Sequence, residues 1–128
     1  MVIDTSAILA ILLKEAEGDE FINRIAADSV RLVSAANVFE ASMVIEARYG
    51  DAAGGELDMF LLQIDADIIP IDAELADIAR RAWRRYGKGR HPAALNFGDC
   101  RSYALAVVRN EPLLFKGNDF SQTDILAA

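Results

Sequence analysis

A chain of 128 residues, 53% hydrophobic and 26% charged, is long enough to bury a core of ordinary size and is expected to be a single domain, residues 1–128. Its net charge of −7 and pI near 4.6 argue against a nucleic-acid partner bound through the surface as a whole. The apolar run from Ala7 to Leu13 is far shorter than the roughly 20 residues of a membrane span, and Asp4 with no Lys or Arg before it does not make a signal-peptide start, so a cytoplasmic protein is expected.

In chain order, "MVI" predicts a short strand running into Asp4, followed by a helix from about Ser6 to Lys14 that closes near Gly18. Asp19 starts a second amphipathic helix with Phe21 and Ile25 on its apolar side. "VRLVS" is a second strand, after which Asn37 is placed to cap a long helix reaching Tyr49 and Gly50, and "GGELDMFLLQI" is a further helix. "DIIPI" is a third strand, and its Pro70 assigns it to a sheet edge, because proline cannot donate to a ladder. Asp72 then caps the helix of Leu75, Ala79, Ala82 and Tyr86. "GKGRHPAALNFG" reads as a loop, "DCRSYALAVVRN" as a helix stopped before Pro112, and "PLLFKG" as a fourth strand. Strands alternating with helices give an α/β fold around a mainly parallel sheet.

Cys100 and His91 are each alone in the chain. That excludes a disulfide framework, a cysteine metal cluster and a paired-histidine zinc site, and leaves any chemistry to carboxylates. In a βαβ unit the C-terminal ends of strands and the N-terminal ends of helices share one sheet edge, where open α/β sheets bind ligands. Asp4 ends the first strand, Glu40 lies in the first turn after the second, Asp99 opens the helix before the fourth, and Asp119 follows the fourth. Taken singly, Asp4, Asp99 and Asp119 are explained as a cap, a dipole partner and a turn former. Glu40 is not, because Phe39, Met43, Val44 and Ala47 surround it on what reads as the buried side of its helix.

Four acids at close range disfavour one another's ionisation, and Lys116 is the one basic residue in these stretches placed to offset them. A divalent cation removes the repulsion. Oxygen ligands without histidine or cysteine suit a hard ion, Mg²⁺ or Mn²⁺, and such a centre suits phosphodiester hydrolysis. The segment "RRAWRRYGKGR" gathers six of the thirteen basic residues, among them Arg84, Arg85, Lys88 and Arg90. It reads either as a solvated helix face or as a strip that guides a phosphate backbone. Trp83 and Tyr86 are candidates to stack bases, although the helical spacing of Tyr86 with Leu75, Ala79 and Ala82 favours the core.

Four stretches, "VIDTSA", "NVFEAS", "LNFGDC" and "FKGNDF", occur in this order over nearly the whole chain and together resemble a PIN domain, specifically a VapC-type toxin ribonuclease of a bacterial toxin–antitoxin pair. The resemblance implies an α/β/α sandwich around a short, mainly parallel, four- to five-stranded sheet. It also implies Mg²⁺- or Mn²⁺-dependent endoribonuclease activity on RNA, a homodimer, and inhibition by a VapB-type antitoxin. Matched stretch by stretch, it makes Asp4, Glu40, Asp99 and Asp119 the metal-holding catalytic acids, with Ser6, Asn118 and Thr123 as supporting polar groups. The stretch "DILAA" leaves little material for a fifth strand. Two other readings compete: a haloacid-dehalogenase-like phosphatase, whose "DxD" pattern here meets Ser6, and a catalytically silent RNA- or protein-binding module of the same fold.

Overall fold

The computed structural model describes residues 1–128. Its elements are β1 (Val2–Ile3), α1 (Thr5–Leu12), α2 (Gly18–Ala27), β2 (Leu32–Ser34), α3 (Ala35–Tyr49), α4 (Gly54–Gln63), β3 (Asp67–Ile69), α5 (Ala73–Tyr86), α6 (Phe97–Arg109) and β4 (Leu113–Leu114). The strands form one sheet in the order β3-β2-β1-β4, with every neighbouring pair parallel. β3 lies at an edge as expected, but it ends at Ile69, so Pro70 stops the strand and is not part of its ladder. Beyond β4, the Leu113 N–H donates to Leu126 O at 2.8 Å and Leu113 forms a single parallel bridge with Ala127. This one bridge is all that "DILAA" contributes toward a fifth strand.

Side chains alternate across the sheet with the period of two that strands impose. Val2, Leu32 and Leu113 join Leu75, Tyr86 and Leu105 of α5 and α6 in one core layer. Ile3, Val33 and Leu114 join Ile8, Phe21 and Leu57 of α1, α2 and α4 in the other. The result is an α/β/α sandwich. No helix is long and apolar enough to cross a membrane.

Three local expectations are corrected. Ser34, not Asn37, occupies the N-cap of α3, and Asn37 sits fully buried inside the first turn. The inward stripe of α3 is Asn37, Ala41 and Ile45, spaced by four, while Phe39 and Met43 are 64% and 50% exposed. Glu40 therefore flanks the buried stripe instead of sitting among apolar neighbours. Likewise α6 begins two residues before Asp99: Asn96 is its N-cap, and the Asp99 carboxylate accepts the Asn96 N–H while the Asn96 side chain accepts the Asp99 N–H, each at 2.9 Å. Asp72 caps α5 as expected, accepting the Leu75 N–H at 2.9 Å.

Candidate metal and active site

The site lies where β1, β2 and β4 end and α1, α3 and α6 begin. Asp4, 3% exposed, follows β1 directly and accepts the Ser6 N–H at 2.9 Å and the Ser6 hydroxyl at 2.6 Å on Oδ2. Its Oδ1 accepts the Ser102 hydroxyl from α6. Asp4 is thus a helix cap and also the anchor of a long-range polar network. Asn37 Nδ2 donates to Thr5 Oγ1 at 2.9 Å and to Ser102 Oγ at 2.7 Å, and the Thr5 hydroxyl donates to Glu40 Oε2 at 2.7 Å. β1, α1, α3 and α6 are tied together by side chains that all orient Asp4 or Glu40.

Glu40 has a second partner in Arg101, whose guanidinium donates to Oε2 at 3.3 Å and lies 4.3 Å from the Phe97 ring centroid. The expected counter-ion was Lys116. Its ammonium instead pairs with Glu15 at 2.6 Å and Glu17 at 3.3 Å, while its backbone N–H donates to Ser6 Oγ at 3.0 Å. A four-carbon stem lets the ammonium reach the acids of the turn between α1 and α2, so proximity along the chain does not identify the partner.

Asp99 carries the electrostatic record of the cluster. Burial first, and then the charges of Asp4, Asp119 and Glu40, push its carboxyl up to about 6, against the opposing hydrogen bond from the Asn96 N–H. Asp4, Glu40 and Asp119 are therefore each near enough to act on Asp99. No three of them converge into a closed ligand cage. The hydrogen bonds to Glu40 and Asp99 fall on Oε2 and Oδ2. The donor set and the repulsion at Asp99 both suit a hard divalent ion.

Gly98 makes room for this arrangement. A Cβ there stands 2.6 Å and 2.7 Å from the two Glu40 carboxylate oxygens. Because those atoms end a flexible side chain, Gly98→Ala displaces Glu40 without disturbing backbone, and Ala gains up to about 1 kcal/mol over Gly inside a helix. We expect Gly98→Ala to melt at or above the wild-type temperature and to cleave RNA about tenfold more slowly, since misplacing a ligand costs on the scale of its supporting partners. Equal cleavage by folded Gly98→Ala removes Glu40 from the site.

The other expected residues divide. Ser6 belongs to the site through Asp4. Asn118 is exposed, and its backbone carbonyl accepts the Ser121 hydroxyl at 2.6 Å; Thr123 donates to Phe120 O at 2.7 Å and accepts the Ile125 N–H. Both hold the turn that carries Asp119, and neither hydrogen-bonds an acid of the cluster. Arg84 is exposed, Arg85 pairs with Asp124 at 2.9 Å, and Arg90 covers the Trp83 ring at 4.2 Å. Tyr86 is core. The lone Cys100 is buried with its thiol pushed up to about 11 by burial, and His91 Nδ1 accepts the Ala93 N–H within its own loop. Thr5, Arg101 and Ser102 are new, and Asn37 has a role other than capping. Ser102 was the most legible of these, three residues after Asp99 and so on the same helix face.

The PIN domain family matches residues 1–126 of the chain. The VapC ribonuclease Mb0640 of Mycobacterium bovis is 51% identical over 125 residues, which cover 98% of this chain and 95% of that protein. The chain belongs to the PIN-domain family, among the VapC-type toxins. Ribonuclease VapC of Mycolicibacterium smegmatis is also 51% identical, over 127 residues that cover 99% of this chain and 98% of that one. The crystal structure of Mycobacterium tuberculosis VapC20, described as a sarcin-ricin loop cleaving toxin, superposes with a TM-score of 0.80 over 99% of this chain and 97% of its own, at 18% identity. That likeness is one of fold. A PIN assignment leaves no place for the haloacid-dehalogenase reading.

Proposed function

We propose that this VapC-type PIN protein is a Mg²⁺- or Mn²⁺-dependent endoribonuclease, the toxin of a cytoplasmic toxin–antitoxin pair, acting as a homodimer and restrained by a VapB-type antitoxin. The observation that carries the reading is the gathering of acids at the ligand-binding edge of the sheet, where Ser102 holds Asp4, Thr5 and Arg101 hold Glu40, and the charges of Asp4, Glu40 and Asp119 bear on Asp99. In this reading Asp4, Glu40 and Asp99 would hold the principal ion, with Asp119, exposed on the turn after β4, as the fourth acid beside them. A bound divalent ion supplies charge neutralisation at the scissile phosphate and makes water more acidic.

The chain's own residues perform the remaining tasks. Ser6 and Ser102 fix the Asp4 carboxylate by donating to its two oxygens. Thr5 and Arg101 hold Glu40 from two sides. Asp119 is free to accept the proton of an attacking water, being exposed and outside the buried network. Arg84, Lys88 and Arg90 give the RNA backbone an approach that an acidic chain otherwise lacks. Exposed Phe39 and Met43 on α3 with Met59 and Leu62 on α4 supply apolar surface for a second copy or the antitoxin.

Expression in a bacterial host tests the toxin reading. We expect growth to stop with RNA cleavage, and co-expression of a VapB-type partner to restore it by presenting a basic side chain to the acids. Normal growth with abundant, folded protein contradicts the toxin assignment.

A further inference from the structure

A cavity of about 500 Å³ opens between α5 and α6, within the range of small-molecule sites. Ala76 and Trp83 line it from α5, Phe97 and Arg101 from α6, and Ser34 from the end of β2. It adjoins the acids directly, because Arg101 both lines the cavity and holds Glu40. Two polar atoms of its lining residues have no partner: Oγ of Ser34, a residue only 2% exposed, and Nε of Arg101. Arg80, Lys88 and Arg101 bring cationic groups to the wall, Arg80 paired with Asp77 at 2.8 Å and Arg101 with Glu40 at 3.3 Å, and no acid lines the cavity itself.

These features select an occupant. An apolar protein side chain fills the space but leaves the Ser34 hydroxyl and Arg101 Nε unpaired. A phosphate alone meets the cations but not the apolar wall. A nucleobase has flat faces for aromatic and aliphatic contact, a hydrogen-bonding edge for the two orphaned groups, and a phosphate for the cations. We infer that the cavity between α5 and α6 is a nucleobase subsite, which seats one base of the RNA while the adjoining phosphate lies toward the acids. The inference rests on the nuclease reading and adds to it a source of sequence preference, set by Ser34 and Arg101.

Trp83 is the single tryptophan, so its indole N–H is one resolved signal in a ¹⁵N correlation spectrum. The test is to titrate the intact protein, in chelator, with the four 5′-nucleoside monophosphates and separately with inorganic phosphate. The indole signal should move saturably with at least one nucleotide and not with phosphate. Ala76→Phe, at an exposed position on the cavity wall, should weaken the response about tenfold by overfilling the space. Ser34→Ala should weaken it severalfold while the melting temperature stays level, because the hydroxyl has no partner to lose. An indole signal indifferent to all nucleotides overturns the subsite, even if the protein cleaves RNA. A saturable response in a protein that cleaves nothing leaves the subsite standing and removes the nuclease. If Ala76→Phe instead changes the oligomeric state while nucleotides have no effect, the cavity is a protein contact and the inference fails.

Discussion

Asp4→Asn should lower RNA cleavage at least about 100-fold while leaving the chain folded. Loss of a partner that merely orients a metal ligand costs about 10- to 100-fold, and loss of the ligand's charge costs no less. The fold survives because Asn is about as good a cap as Asp and its oxygen still accepts from Ser6. On the other side the new amide faces Ser102, whose hydroxyl can turn to accept. That exchange alters stability by about 1 kcal/mol, the scale of one hydrogen bond. Single-turnover cleavage beside a thermal melt separates the two roles of Asp4. Wild-type cleavage by Asp4→Asn reduces the residue to a cap.

Divalent metal should stabilise the protein strongly and in a pH-dependent way. In the unfolded chain the Asp99 carboxyl titrates near 3.8, and in the folded protein it is pushed up to about 6. A raised carboxyl favours the folded state when protonated. This contribution is fully present below about pH 3.8 and is lost as pH rises through about 6, on the order of 1 kcal/mol after solvent screening. In chelator at pH 7, Asp99→Asn should therefore melt above the wild type. With Mn²⁺ at about 100 times its Kd, binding adds roughly 2.7 kcal/mol, and the wild-type midpoint should rise on the order of 5–10 °C and overtake the variant. The rise should shrink below pH 6, where a proton competes for Asp99. An equal rise in an Asp4→Ala, Asp99→Ala double variant places the ion elsewhere.

What could be read from the chain was what local chemistry determines. Pro70 ends β3 and Asp72 starts α5, because a missing donor and a side-chain cap act within a few residues. The same logic singles out the four acids as candidates, since strand ends and helix starts meet at one edge in a parallel sheet. α6 was started late because the Gly- and Pro-rich loop absorbed Asn96, although Asn96 and Asp99 spell a capping box. The buried face of α3 was misread because Phe39 and Met43, apolar but exposed, outweighed an asparagine. Asn37 is inside because its amide serves Thr5 and Ser102. Such partners lie far apart in sequence, as Ser102 does from Asp4, and no local periodicity announces them. Arg101 was hidden for the same reason, its acid being set by packing of α3 against α6.

The most direct measurement incubates the purified wild-type protein with total RNA in Mg²⁺, in Mn²⁺ and in chelator, and maps the ends produced. The account predicts discrete internal cuts with either ion, none in chelator, and recovery when the ion is restored. Cleavage that persists undiminished in chelator, or intact RNA after incubation with folded, ion-supplied protein, contradicts it.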